Sequence, residues 1–425
     1  MRKVLCIAFY FPPLAGGGVR RPLKFVRYLP EHGWLPVVLT INPDNIKSYI
    51  RDESLLSEIP EAVKICRAYY PDYTKFPLFR GSAARLFFEP FRNRYLVPSN
   101  EVSWNKHAYR EASKTIAKEK VEAIITTSPP NSVNLLGLKL CREHNIPWVA
   151  DIRDEWTTDP YLRHNFEKLP QKRQDREREM EAECFLRANK LIAISPLMKK
   201  SLSENVGLNF DNIEIISNGY DENDFQNYNS ESLPSGDKFK ILLMGNLSLQ
   251  KVTGNLVACI EELIENGKIN KEKIEITVLT QSDHKHINRY FKNPTNNIFN
   301  FKGYENHAEA IKSMAKHHAF MLLITDGAKS VISGRIFEYM RGNRPIMGFL
   351  PEDGEAARII ETTGTGRFCS SGDKEKMKKL IIQFHSEWEN GYIKYKPNYE
   401  EIKKYDRRLL TSKLAGVLNG LVDNG

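Results

Sequence analysis

The sequence predicts an α/β protein built from two doubly wound parallel sheets in tandem. Three observations predict it. Apolar, β-prone runs alternate with segments of helical periodicity; the alternation halts at one polar, turn-rich stretch and then begins again; and 425 residues exceed a single ordinary core at ~150 residues per domain. Hydrophobic residues at 41% and charged residues at 27% describe a folded globular chain, because a disordered one lacks the apolar surface to offset its ordering entropy.

Residues 3–10, KVLCIAFY, are nearly continuously apolar, as a strand buried on both faces is. Two prolines and three consecutive glycines then break the chain. Val19, Leu23, Phe25, Val26 and Leu29 resume at helical spacing, and LPVVLT supplies a second strand, which makes a βαβ opening. A helix near 104–119, the strand VEAIITTS, the helix NLLGLKLCREHN and the strands IPWVADIRD and KLIAIS continue the pattern. These fill a first domain, residues 1–217. Residues 218–237, NGYDENDFQNYNSESLPSGD, read as a linker. A second domain, 238–392, runs through the strand FKILLMGNL, the helix NLVACIEELIENG, the strands KIEITVLT and IFNFKG, a helix over about 307–316, the strand AFMLLIT, the helix GRIFEYMRG and the strand RPIMGFL. Residues 393–425 hold the amphipathic stretch DRRLLTSKLAGVLNGL, expected to cross back and cap the first domain. Two such Rossmann-like halves are expected to face a central cleft at the carboxyl ends of their strands.

The opening MRKVLCIAFYF imitates a signal peptide, but its apolar run is short, meets Pro12 and Pro13 and has no small-residue cleavage site. No stretch approaches the ~18 to 20 apolar residues of a membrane span. Cys6, Cys66, Cys141, Cys184, Cys259 and Cys369 lack CxxC or zinc-ligand spacing and read as reduced thiols of a cytoplasmic protein. A net charge of +9 asks for an anionic partner: nucleic acid, anionic lipid or a phosphorylated small molecule. Much of it lies on helical faces such as EASKTIAKEK, where a solvated surface accounts for it. No helix-turn-helix, zinc-finger or RNP pattern is present, so nucleic acid is not expected as a partner.

Gly16, Gly17 and Gly18 stand where the first strand hands over to its helix, a place where backbone amides approach an anion without a Cβ in the way. The loop lacks both the GxGxxG spacing and the P-loop lysine, and a plain surface turn is the competing explanation. Arg20 and Arg21 sit beside a helix N-terminus, where cations are disfavoured unless something anionic offsets them. VADIRDEW, residues 149–156, ends a buried strand in Asp151, Arg153 and Asp154, expected either at the cleft or in a structural ion pair. In the second half MGNLSLQK sets Asn246 and Lys251 just after a strand. Ser333 and Gly334 open a helix whose amides suit a phosphate, with Arg335 in its first turn and Glu338 one turn on. Guanidinium and amides suit a diphosphate, and a carboxylate suits ribose hydroxyls. His107, His144 and His164 could carry acid–base work, against the commoner structural role.

Taken together, these segments resemble the retaining glycosyltransferases of the GT-B fold, family 4. The FPP.GGG loop is matched by Phe11–Gly18, D.RD.W by Asp151–Trp156, NGYD..DF by Asn218–Phe225 and FEY...G.P by Phe337–Pro345, in order along nearly the whole chain. The resemblance implies a nucleotide-diphosphate sugar as donor in the second domain, with the Gly16–Gly18 loop, Asn246, Lys251, Ser333, Gly334, Arg335 and Glu338 around it. It implies an acceptor beside Arg20, Arg153 and Asp154, and no metal or other cofactor. Glu338 takes the place of the second glutamate of the family's E-x7-E motif, at the ribose, and Lys251 that of the diphosphate-binding lysine. Ser330 stands where the first glutamate would be, and Asn246 where an arginine usually is.

The implied function is transfer of a sugar to a glycan or polyprenyl-linked acceptor in cell-surface polysaccharide synthesis. Lys251 and Arg335 would stabilise the leaving diphosphate, and Asp151 would orient the acceptor hydroxyl. The alternatives are a GT-B nucleotide-sugar epimerase and a non-catalytic nucleotide-sugar-binding protein, told apart by product release without acceptor and by binding without turnover. Residues 74–98, TKFPLFRGSAARLFFEPFRNRYLVP, mix aromatics with Arg80, Arg85, Arg92 and Arg94. They are expected either on an anionic membrane face or in the first domain's core.

Overall fold

The first apolar run forms β1 (Arg2–Ala8), whose last five residues are buried, as a strand covered on both faces requires. The computed structural model describes residues 1–425 except 47–48, 74–83, 230–233, 235, 246–250, 281–297, 304 and 424–425; of residues 84–87 and 251 the backbone is described. The chain divides into two units, Met1–Ser217 with Arg407–Gly425, and Asn218–Asp406.

In the first unit β1 is followed by α1 (Gly17–Tyr28), β2 (Trp34–Ile41), β3 (Lys64–Ala68), α2 (Ala84–Tyr95), α3 (Asn105–Glu119), β4 (Ala123–Ser128), α4 (Ser132–His144) and β5 (Trp148–Ile152). Then come α5 (Arg163–Glu167), α6 (Gln171–Arg187), β6 (Lys190–Ala193), α7 (Pro196–Val206) and β7 (Ile213–Ile215). The strands pair in parallel in the order β3-β2-β1-β4-β5-β6-β7. The order reverses between β1 and β4, so the ends of those two strands are where a doubly wound sheet holds ligands. Local chemistry fixes the helix ends. In α7, Ser195 accepts the Met198 amide at 3.1 Å, Pro196 fills the first position, and Gly207 at φ +71° closes the C-terminus.

The second unit holds β8 (Phe239–Met244), α8 (Lys251–Glu265), β9 (Ile274–Leu279), β10 (Phe299–Lys302), α9 (His307–Met314), β11 (Ala319–Leu323) and α10 (Arg335–Arg341). These are followed by β12 (Ile346–Phe349), α11 (Glu355–Thr363), β13 (Gly366–Cys369), α12 (Lys374–Glu389) and α13 (Tyr399–Lys403). Its parallel order, β10-β9-β8-β11-β12-β13, reverses between β8 and β11. Phe239, Ile241, Leu243, Ile276, Val278, Met321, Leu323 and Phe349 from the strands meet Leu256, Ile260, Ile381 and Phe384 from the helices in one core.

Two boundaries differ from those the sequence suggests. Residues 218–229 are part of the second unit, where Arg341 holds Glu222 at 2.7 Å and the Tyr228 hydroxyl donates to the Gly342 carbonyl at 2.6 Å. The return to the first unit comes at Arg407, not residue 393, because the strap before it, which carries α13, packs against α11 of the second unit: the Asn398 amide bonds the Thr363 carbonyl. From there α14 (Arg407–Asp423) lies on α1. Asn419 accepts the Trp34 indole N–H at 2.9 Å, Asp423 pairs with Arg2 at 2.6 Å, and Arg408 stacks over Tyr28. Among the described residues no helix is long and apolar enough to cross a membrane.

His317 is buried with Nδ1 2.7 Å from the Ser313 carbonyl, and burial pushes its pKa down to about 4. The fold therefore favours the neutral ring, and the stability this provides is present above the ordinary value near 6.5 and lost as pH falls towards 4. One such group changes stability by at most ~1.4 kcal/mol per pH unit in that window. We expect the urea midpoint of the second unit to fall between pH 6.5 and 4.5, and to fall less in His317→Asn. Parallel profiles for the two proteins would contradict this.

Candidate active site

At the end of β1 the chain turns through Gly16, whose φ of +114° lies where side chains are disfavoured. Gly17 is then the first residue of α1, and the helix has no side-chain cap and no acid in its first turn. Pro22 lies inside α1 and has no N–H to give the Gly18 carbonyl, one turn back. The Arg153 guanidinium takes that carbonyl instead, with Nη1 at 3.0 Å. Its Nε and Nη2 donate to the Ser128 and Pro129 carbonyls, each at 3.0 Å. One buried arginine thus fastens the β1–α1 turn to the β4–α4 turn, on the two strands where the sheet order reverses.

Two sequence expectations are corrected here. Asp151 is fully buried at the end of β5. Arg21 donates to it through Nε at 3.0 and 2.9 Å and through Nη2 at 2.6 Å, and the Thr127 hydroxyl adds a fourth bond at 2.8 Å. Its carboxylate is used by the protein and does not face an acceptor. Arg21 also donates to the Ile216 and Ser217 carbonyls at 2.8 and 2.7 Å. The anions that offset Arg20 and Arg21 are therefore the chain's own: Asp151 for Arg21, and for Arg20 the carboxylate of Glu58 at 3.7 Å, which also meets Lys24 and Arg27.

Asp154 is open to water, yet the protein around it raises its carboxyl above the ordinary range, with the Arg153 charge opposing. Behind it, α6 pins the segment: Glu177 accepts the Trp156 indole at 3.3 Å and pairs with Arg173 at 2.9 Å, and Glu181 accepts the Thr157 hydroxyl at 2.5 Å. Burial raises the Glu181 carboxyl. Of the histidines considered, His144 meets the Ser113 hydroxyl and His107 packs edge-on against Tyr69. In residues 74–98 the part from 74 to 83 lies outside the described residues; α2 continues through Pro90, with Tyr95 exposed and Leu96 buried.

In the second unit Lys251 is the first residue of α8, and Asn246 lies outside the described residues. Across the reversal, after β11, the Ser333 hydroxyl accepts the Arg335 amide at 3.4 Å, and Gly334 precedes α10 and is exposed. Arg335 and Glu338 share one helix face, with Nη1 to Oε2 at 2.6 Å. The other oxygen, Oε1, lies 3.5 Å from His307 Nδ1, and His307 Nε2 lies 2.9 Å from Asp224. Ser330 is half-buried in the loop before α10. The next residue on the helix, Tyr339, is buried against Phe320, and its hydroxyl oxygen accepts the Met244 amide at 2.8 Å. It thereby ties α10 to the exit of β8, which leads to Lys251. A Cβ on Gly342 would run into Met314 and come within 2.8 Å of Phe320, so that glycine serves close packing.

Residues 15–224 match the model of Glycosyltransferase Family 4. That match spans just under half of the chain and makes it similar to family 4, and the chain is a GT-B glycosyltransferase. The GT-B fold extends over the whole chain. The sucrose-phosphate synthase of Thermosynechococcus elongatus aligns with TM-score 0.69 and 13% identity, covering 100% of both chains. A glycosyltransferase from Rickettsia africae aligns with TM-score 0.66 and 16% identity, covering 100% of this chain and 99% of that one. The S. aureus MnaA–UDP complex aligns with TM-score 0.54 and 12% identity over 100% and 97%. No curated protein matches at a significant level.

Sequence reasoning passed over four residues of this glycosyltransferase: Pro22, His307, Asp224 as a ring anchor, and Tyr339 as a link to β8. Pro22 alone leaves a local signal, since a proline inside a helix frees a carbonyl four residues back. The other three act through partners distant in sequence.

Proposed function

We propose that this glycosyltransferase moves a sugar from a nucleoside-diphosphate sugar, bound by the second unit, to a glycan or polyprenyl-linked acceptor met by the first. The observation that carries the donor class is the Arg335–Glu338 pair beside the point where the second sheet reverses its order. A guanidinium suits the diphosphate and a carboxylate the ribose hydroxyls. Lys251 at the head of α8 supplies a second cation for the leaving group. The UDP in the MnaA complex supports the same ligand class.

The transfer retains anomeric configuration and uses no bound metal, with Lys251, Arg335 and the amides near Ser333 stabilising charge on the departing diphosphate. On the acceptor side Asp154 replaces Asp151 as the carboxylate open to a hydroxyl, and Arg20, Arg153 and the Gly16–Gly18 turn shape its surroundings. The protein works in the cytoplasm in polysaccharide synthesis, against the inner membrane face when the acceptor is lipid-linked.

The test is thermal unfolding with UDP, GDP, ADP, CDP and their sugars, each with and without EDTA, followed by product analysis with the donor that binds. A ligand at 100 times its Kd adds ~2.7 kcal/mol of stability. Stabilisation by one nucleotide, unchanged by EDTA, is expected. No stabilisation by any would overturn the donor assignment, and free epimerised sugar nucleotide released without acceptor would replace transfer by epimerisation.

A further inference from the structure

The Glu338 carboxylate has a different neighbour at each oxygen: Arg335 at Oε2 and His307 at Oε1. In a donor complex of the kind proposed above, Arg335 turns to the diphosphate, and His307 is the neighbour that stays. The ring cannot turn freely, because Nε2 is held by Asp224 at 2.9 Å. Asp224 is itself fixed. It lies in the 3-10 turn Glu222–Phe225, capped by the Asp221 side chain on the Asn223 amide at 3.0 Å. That turn is fastened to the far end of α10, where Arg341 holds Glu222 and stacks over Phe225 at 5.1 Å.

The contacts form a closed circuit: from Glu338 down α10 to Arg341, across to Glu222, along the turn to Asp224, and through His307 back to Glu338. His307, Asp224 and Glu338 side chains are 14%, 16% and 14% exposed, so these contacts are screened less than surface pairs. Three segments distant in sequence thus fix one carboxylate. A rigid carboxylate suits a ligand that presents two adjacent hydroxyls at a set distance, because both oxygens then accept at once.

We propose that His307, anchored by Asp224, is a positioning residue that holds Glu338 for a vicinal ribose diol and so sets a preference for ribonucleotides over deoxyribonucleotides. This rests on the second unit being the nucleotide-binding one. The experiment is isothermal titration calorimetry of UDP, GDP and ADP and of their 2′-deoxy and 3′-deoxy counterparts. The proteins are the wild type, His307→Ala, Asp224→Ala and Asp224→Asn, each checked for an unchanged unfolding transition. The wild type should prefer one ribonucleotide over its deoxy forms by about tenfold or more, the scale of a hydrogen bond to a charged group.

His307→Ala and Asp224→Ala should bring that ratio towards one, whereas Asp224→Asn, which still accepts from the ring, should keep it. A loss of fold or of general affinity lowers all binding and leaves the ratio alone. Asp224→Ala frees the ring without altering α9, so it tests the idea even if His307→Ala does not fold. A wild-type ratio preserved in either alanine variant overturns the positioning role while the donor assignment stands. A wild type that binds none of the nucleotides overturns both.

Discussion

Asp151→Ala is expected to lower the free energy of unfolding by about 3 to 5 kcal/mol, the cost of breaking a buried ion pair from one side. Arg21 is 1% exposed and Asp151 fully buried. Removing the carboxylate strands a guanidinium that keeps only the Ile216 and Ser217 carbonyls among the bonds described above, and it leaves the Thr127 hydroxyl without its acceptor. Urea denaturation followed by circular dichroism reads the loss. Arg21→Met combined with Asp151→Leu should recover most of it, because a buried pair exchanged for apolar residues of similar size is often neutral. A loss under about 1 kcal/mol in Asp151→Ala would show that the pair does not hold the β5 end.

Glu338→Ala is expected to lower kcat/KM for the donor by about 10- to 150-fold, which corresponds to about 1.5 to 3 kcal/mol for a hydrogen bond to a charged group. The unfolding temperature should change little, since the side chain is half-buried on a helix whose core contacts come from Ile336, Phe337, Tyr339 and Met340. Steady-state kinetics with a donor already shown to bind, run beside a melting curve, separates the two effects. Unchanged kcat/KM would remove Glu338 from the site, and a large fall in melting temperature would make it a structural residue.

The sequence made the centres of both sheets readable and their margins not. β1, β4, β5, β8 and β11 are buried on both faces, and continuous apolar runs announce them. β3 has one buried residue in five, β7 is three residues long, and β13 is mostly half-buried; edge strands have one neighbour and lack that signature. Residues 218–229 read as a linker because polar residues look alike whether water or the protein satisfies them, and here Asp221, Glu222 and Asp224 cap and pair. The same limit governs the site. Arg335 and Glu338 are three apart on one helix, so their meeting follows from helical spacing. Asp151 was legible as a strand end, but its partner is 130 residues away. His307 meets two acids that local sequence cannot connect to it.

The path of the chain has a consequence for its synthesis. The first unit is finished by α14, yet everything from Asn218 to Asp406 is translated in between. While a ribosome makes that stretch, at about 5 to 20 residues per second, the nascent first unit waits on the order of 10 to 40 s for its last helix. During that interval the face of α1 and Trp34 that α14 covers is open to chaperones and to other chains. The face therefore stays uncovered from the completion of Ser217 until Arg407–Asp423 has been made.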